Sequence, residues 1–247
     1  PALISKLIPR SMSNCCSPVT TVLQRLFTRI MMKFMSQIWL SGFKSSYLAI
    51  VFGGLISLVF NVNLANAADT KVLVLGDSIS AAYGIEQQQG WVYLLQTELR
   101  DESDFINASV SGETTAGGLQ RLPALLKEHH PNIVVIELGG NDGLRGYPIL
   151  SIRKNLQELI PLSIDAGAEV LLLGMKIPPN YGKRYTEAFE QNYTQLAKQN
   201  AVSLVPFLLN SVAGVPALMQ SDGIHPTADA QPLIVQNVLP ALREMLD

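Results

Sequence analysis

Cysteine is nearly missing from this chain. Its 247 residues hold two, Cys15 and Cys16, side by side near the start. Residues 68–247 have none, which excludes disulfides, thiol catalysis and Cys-ligated metals from that stretch. Histidine is almost as scarce: His129, His130 and His225 are the full set, and no His-x-x-x-His or clustered His/carboxylate spacing marks a zinc site. Charged residues make up only 15%, with 18 Lys+Arg against 20 Asp+Glu, so the basic excess of a nucleic-acid binder is absent. At 48% hydrophobic the chain is nevertheless too apolar to be disordered. No Gly-x-Gly-x-x-Gly follows the first apolar run, which leaves a dinucleotide site unsupported. Gly-x-Ser-x-Gly, the nucleophile elbow of the α/β-hydrolases, does not occur around Ser78. Internal repeats and low-complexity tracts are also lacking.

Acids are missing altogether from the first quarter. The first is Asp69, whereas Lys6, Arg10, Arg25, Arg29, Lys33 and Lys44 precede it. Residues 68–247 therefore carry the other 12 basic side chains and all 20 acids, a net charge of −8. Within the positive leader, Lys33 and Lys44 flank Met31, Met32 and Met35, any of which suits a translation start. An apolar run, Tyr47 to Phe60, follows, and Ala65 and Ala67 stand two apart. A basic segment, an apolar core and small-x-small predict a secretory signal peptide over 31–67, cleaved after Ala67. The alternative is an uncleaved anchor, since 45–68 is uncharged, but Gly53, Gly54, Asn61, Asn63 and Asn66 erode a spanning helix. Residues 1–30 are expected to be an over-long gene start without a fold. The expected product is a single exported domain, 68–247, periplasmic or secreted, monomeric and without stable membrane insertion.

In that domain, short apolar runs alternate with helical periodicity. The runs are Val72–Leu75, a weaker Phe105–Ala108, Ile133–Leu138, Val170–Leu173 and Val202–Val205. They are too short for helices and mostly lack polar alternation, as strands covered on both faces do. Apolar residues at three- and four-residue spacing predict five amphipathic helices, around 91–99, 119–126, 149–160, 185–196 and 235–242. Pro123 and Pro161 are expected to break or kink two of them. Strand and helix repeated in this way imply a parallel sheet between helical layers, a three-layer α/β/α domain.

Ligands of open parallel sheets bind beyond the carboxyl ends of the strands. The residues directly after the runs are therefore the candidates. Gly76-Asp77-Ser78 follows the first; Ser109 to Thr115, with Gly112, the second; Gly139-Gly140-Asn141-Asp142-Gly143 the third. Asp222-Gly223-Ile224-His225-Pro226 follows the fifth after an excursion. Ser78 is placed at a strand-to-helix turn, where Asp77 competes with it for the capping role and leaves its hydroxyl free. A serine needs a base, and of the histidines His129 and His130 end a helix before Pro131, as surface residues would. His225 lies three residues after Asp222, a spacing that lets the carboxylate orient the ring and leave Nε2 for the serine proton. Gly112 N–H, Ser78 N–H and the Asn141 amide could donate to a developing oxyanion.

These blocks, Gly76-Asp77-Ser78-Ile79, Gly112, Gly139-Gly140-Asn141-Asp142 and Asp222-x-x-His225, resemble in order and placement those of the SGNH (GDSL-type) hydrolases. Longer strings, 139–146, 121–127, 180–185 and 222–226, are similar to the bacterial periplasmic acyl-CoA thioesterase I / lysophospholipase / arylesterase subfamily. The resemblance implies a flavodoxin-like five-stranded parallel sheet and a two-step reaction through an acyl-serine, with no metal and no cofactor. It implies Ser78 as nucleophile, His225 as base and Asp222 as its orienting carboxylate, with Ser78, Gly112 and Asn141 forming the oxyanion hole. Ile79 departs from the family's usual leucine. The segment Gly143 to Pro148 is, by resemblance, a mobile loop over the acyl chain, its two glycines suiting a hinge. Leu144, Tyr147, Ile177, Pro178 and Tyr181 are expected to line an apolar acyl channel. The expected substrate is a small-molecule acyl ester or thioester. A carbohydrate O-acetylesterase and a non-catalytic flavodoxin-like binding domain are the alternatives.

Overall fold

The structure is a computed structural model that describes residues 70–100 and 102–246. The leader, its cleavage point, the alternative starts, both cysteines and residues 1–30 lie outside the described residues. Five strands form one parallel sheet: β1 (Thr70–Gly76), β2 (Ser103–Asn107), β3 (Ile133–Glu137), β4 (Glu169–Leu173) and β5 (Ser203–Val205). Their spatial order is β2-β1-β3-β4-β5, with Val72 opposite Phe105 on one side and Ile133 on the other. Every residue of β3 is buried, and β1 and β4 are buried beyond their first residues. This is why their sequences run apolar without alternation.

Helices cover both faces. α1 (Trp91–Glu98) packs with the last helix, α6 (Gln231–Leu246), on one side. On the other, α2 (Thr115–His129), α4 (Ile149–Asp165) and α5 (Lys183–Asn200) pack in sequence. A short helix, α3 (Gly140–Leu144), precedes α4. The architecture is thus three-layered α/β/α, with a single core built from residues such as Leu73, Leu75, Trp91, Ile136, Ile152 and Phe189. A fully buried Leu or Ile contributes about 1.5–3 kcal/mol.

That contribution bears on the prolines. Pro123 and Pro161 lie inside α2 and α4, yet neither helix is broken; α6 likewise contains Pro240. Each proline forfeits one backbone hydrogen bond, at a cost of about 3 kcal/mol. The buried stripes Leu122/Leu126 and Ile152/Leu156/Leu159/Ile160 offset it. The second and fifth strands are also offset from their apolar runs, because β2 pairs from Ser103 with Thr70 and β5 is only three residues long. Among the described residues no helix is long and apolar enough to cross a membrane.

Two crossovers leave the central strands in opposite directions: β1 to the edge strand β2, and β3 outward to β4. The crevice between β1 and β3 at their carboxyl ends is the topological switch point of such a sheet. Gly76 and Glu137 face each other there as the last residues of the two strands.

Candidate active site

The chain does not enter a helix at Ser78. After Gly76 it makes successive turns, with Ala82 at φ 58° and Gly84 at φ 75°, and α1 begins only at Trp91. Asp77 shapes the first turn: its Oδ1 accepts from Ile79 N at 3.0 Å. Tyr83 N then donates to the Ser78 carbonyl at 3.0 Å. The Ser78 side chain is aimed at His225, with Oγ to Nε2 at 2.8 Å. His225 Nδ1 lies 2.7 Å from Asp222 Oδ2, while Asp222 Oδ1 accepts from the backbone N–H of Ile224 (2.9 Å) and His225 (3.0 Å). These three donors hold the Asp222 carboxyl down at about 2, the imidazole contributing most.

The serine side rests on buried acids. Glu137, fully buried, accepts from Asp77 N at 3.0 Å and from Ser80 Oγ at 2.7 Å. Its other oxygen, Oε1, has no partner among the described residues. Burial, then the charge of Asp77, pushes its pKa well above the ordinary value. Asp77 itself is raised to about 6, burial outweighing the hydrogen bonds from Ile79, Glu137 and Asn141. Gly76 has to lack a side chain here, since a Cβ would lie 2.7 Å from both Glu137 Oε2 and Ser80.

Asn141 is carried on α3, a helix missed in the sequence because its five residues, Gly-Asn-Asp-Gly-Leu, include two glycines. It forms because Gly139 takes a left-handed turn (φ 110°) against the Tyr193 hydroxyl. Asn141 Nδ2 donates to Asp77 Oδ2 at 3.0 Å, beside Ser78. Asp142 is buried and receives Thr115 N (2.9 Å) and Oγ1 (2.7 Å), which seats the start of α2. Gly112, exposed at φ 80°, sits on the loop before α2. Arg121 holds that loop through Glu113 (2.8 Å) and the Ala108 carbonyl (2.7 Å). Arg145, at the end of α3, donates to the Gly112 carbonyl at 3.2 Å. The backbone N–H groups of Gly112 and Ser78 donate to nothing else among the described residues.

A cavity of about 520 Å³ opens from Ser78 and His225, a size usual for small-molecule sites. Leu144, Ile177 and Pro178 line it with Met175, Phe207, Leu209 and Met219, among others, and Asn141 reaches it too. The charge of Lys176 on its wall is taken up by Glu190 at 2.7 Å. Tyr147 and Tyr181 do not line it. Instead the Tyr181 hydroxyl donates to the Leu144 carbonyl and that of Tyr185 to the Tyr147 carbonyl, each at 2.6 Å. These bonds brace the wall from behind and leave Tyr147 turned toward solvent, 42% exposed. Gly143 is buried, and a Cβ there would meet Ile177 at 2.7 Å and Phe189 at 2.8 Å, so close packing requires a glycine at this place. Gly146, at φ 69° in open space, keeps its conformational freedom. His129 ends α2, half-buried, and His130 caps it, exposed at φ 48°, and neither lines the cavity.

Sequence reasoning missed Glu137, Tyr83 and Gln220. Glu137 closes an apolar run and reads as strand. The Tyr83 ring lies 4.4 Å from the His225 ring, centroid to centroid. Gln220 carries no motif or periodicity, and its partners are 137 residues away in one direction and six in the other.

Residues 74–232 match the profile of the GDSL-like Lipase/Acylhydrolase family. The chain is 52% identical over 201 residues to "Esterase TesA" of Pseudomonas aeruginosa, an alignment covering 80% of this chain and 99% of that protein. It is 45% identical over 183 residues to "Thioesterase 1/protease 1/lysophospholipase L1" of Escherichia coli, covering 74% and 88%. The crystal structure of the psychrotrophic esterase EstA from Pseudoalteromonas sp., inhibited by monoethylphosphonate, superposes with a TM-score of 0.69 at 45% identity, over 72% of this chain and 99% of that one. With the flavodoxin-type strand order and the four blocks gathered at one sheet edge, the chain belongs to the GDSL-type SGNH hydrolases and is an ester-hydrolysing enzyme.

Proposed function

We propose that the enzyme is an exported serine hydrolase that cleaves fatty acyl esters and thioesters through an acyl-serine. The observation that carries this reading is the unbroken line Asp222–His225–Ser78, at 2.7 and 2.8 Å, opening on a mostly apolar cavity.

In this reaction His225 Nε2 takes the Ser78 proton as Oγ attacks the acyl carbon. Asp222, ionised because its three donors favour the charged form, holds the ring in the tautomer that leaves Nε2 unprotonated and stabilises the imidazolium that follows. The oxyanion is met by the amides of Ser78 and Gly112 and by the Asn141 side chain, whose second N–H remains after the bond to Asp77. Collapse expels the alcohol or thiol, which leaves with the proton from His225. Water, deprotonated by the same nitrogen, then releases the acid and restores Ser78.

The apolar lining suits a hydrocarbon tail better than a sugar, which favours fatty acyl groups over carbohydrate acetates. Export rests on the leader: a basic segment, the apolar run 47–60 and Ala65-x-Ala67. The test is covalent labelling. A fluorophosphonate should modify the protein, and Ser78→Ala should abolish both the adduct and turnover of a p-nitrophenyl ester; labelling that survives the substitution rejects Ser78 as the nucleophile. Relative turnover of acyl esters from two to sixteen carbons decides the substrate class, with a maximum at acetyl rejecting the fatty acyl assignment.

A further inference from the structure

Ser78 and His225 reach the site by unequal routes. Ser78 follows directly from a central strand. His225 sits near the end of a stretch, 206–230, that contains no strand of the sheet and only short 3-10 turns. A hydrogen bond between Oγ and Nε2 has to survive the approach of substrate, so it cannot be what sets the spacing of the two loops. Something else has to fix it.

We propose that Gln220 is that positioning residue, acting on the triad described under the proposed function and resting on that reading. Three bonds that it donates make the link. Its backbone N–H donates to the His225 carbonyl at 2.7 Å. Its side-chain amide donates one proton to the Pro226 carbonyl at 2.9 Å and the other to the Tyr83 carbonyl at 2.8 Å. Tyr83 in turn donates its own N–H to the Ser78 carbonyl at 3.0 Å. The main chains of the two reacting residues are therefore joined through two intermediaries, Tyr83 and Gln220, independently of their side chains.

Two further features fit this role. The Tyr83 ring lies against His225 at 4.4 Å between centroids, so the same linkage that ties the loops also backs the imidazole. Gly84, at φ 75°, lies so near the Gln220 amide that a Cβ would overlap it, with Nε2 at 2.9 Å and Oε1 closer still. The turn is thus moulded to this one side chain. Glutamine suits the place because its NH₂ group offers two protons to two carbonyls; a carboxylate there would face both as an acceptor.

The test is a kinetic cycle on purified enzyme with p-nitrophenyl butyrate. Gln220→Ala and Gln220→Leu should each lower kcat by about tenfold to a hundredfold, the scale of a small misplacement of reacting groups, with KM changed by less than about twofold. The fluorophosphonate labelling rate should fall in parallel. Gly84→Ala, which pushes a methyl into the amide, should reproduce the kcat loss. In the Gln220→Ala background, where that space is vacant, Gly84→Ala should cost no further turnover, although its backbone strain still lowers the melting temperature. Unchanged kcat in the Gln220 variants, a loss carried by KM, or kcat losses that multiply in the double variant would each overturn the proposal. If Gln220→Leu does not fold, Gln220→Glu carries the same expectation at equal size; failure of every Gln220 variant to fold also overturns it, by making the residue a determinant of stability. Failure of the underlying triad is separately visible, as wild-type labelling that persists in Ser78→Ala.

Discussion

Asp77 and Asp222 flank the same proposed reaction centre and are opposites in their physics. Asp77, beside Ser78, is 2% exposed; burial lifts its pKa to about 6 despite three hydrogen bonds. Asp222, beside His225, has a side chain 39% exposed, and three donors draw its pKa down to about 2. The difference shows that hydrogen bonds of similar length act in opposite balance with solvent. Where water is excluded, desolvation outweighs them; where it is not, they prevail. The serine half is therefore a buried scaffold whose acids have raised pKa values, and the histidine half a charged, half-open one.

Replacing the charge on the open half should have the largest effect. Asp222→Asn is expected to reduce kcat by roughly a thousandfold to ten-thousandfold through loss of tautomer control, with little change in KM. More than a tenth of wild-type turnover would show that the carboxylate is not needed to orient His225. The wild-type ionisation itself is robust. Because the folded pKa is below the ordinary 3.8, the stabilisation it gives is complete above about pH 4 and fades only as the pH falls through about 2.

Asn141 joins the buried half to the proposed oxyanion site. Asn141→Ala should lower kcat by about a hundredfold to a thousandfold, as loss of one oxyanion donor does, and raise KM far less. It also removes a donor that lowers Asp77, so the Asp77 pKa should climb above its present value of about 6. A purely KM effect would mean that Asn141 binds only the ground state.

The smallest effect on turnover, and the sharpest on stability, is expected from Glu137→Gln. Both Glu137 and Asp77 have raised pKa values, so the folded chain binds more protons than the unfolded one. Stability should consequently decline as the pH rises above about 4, through about 6 for Asp77 and through the raised range of Glu137. Glutamine still accepts from Ser80 and Asp77 N but removes one of the two titrating groups. Melting temperature against pH should flatten over that window; an unaltered slope would place the pH sensitivity elsewhere.

The two halves also differed in how far they could be read beforehand. Runs of buried β-branched residues and leucine marked the strands, and the residues following them included Ser78 and Asn141. Asp222 and His225 were legible by residue type and spacing, since their loop has no strand to announce it. What could not be read depends on distance. Glu137 is meaningful only because Gly76 sits opposite it across the sheet, and Gln220 only because Tyr83 comes back to meet it. The continuous helices α2 and α4 show the limit of a local rule: their prolines do not end them, because burial that the rule does not contain offsets the cost. Tyr181 was assigned to the right wall but to the wrong side of it, because an aromatic near an apolar cavity can serve through its hydroxyl as well as its ring.

Much of the cavity wall comes from stretches other than the turn that carries Ser78: Leu144 after β3, Met175 to Pro179 after β4, and residues between Phe207 and Met219 after β5, with Asp77 to Ile79 and Gly223 to His225 completing it. Ser78 hangs from β1, next to the opposite edge of the sheet. Much of the cavity's fit is therefore written apart from the β1 turn that carries Ser78, although Leu144 shares α3 with Asn141 and the last segment runs on to Asp222 and His225. Libraries confined to those three wall segments could retune chain length or head group while the β1 turn, the α3 amide and the acids beneath them stay untouched.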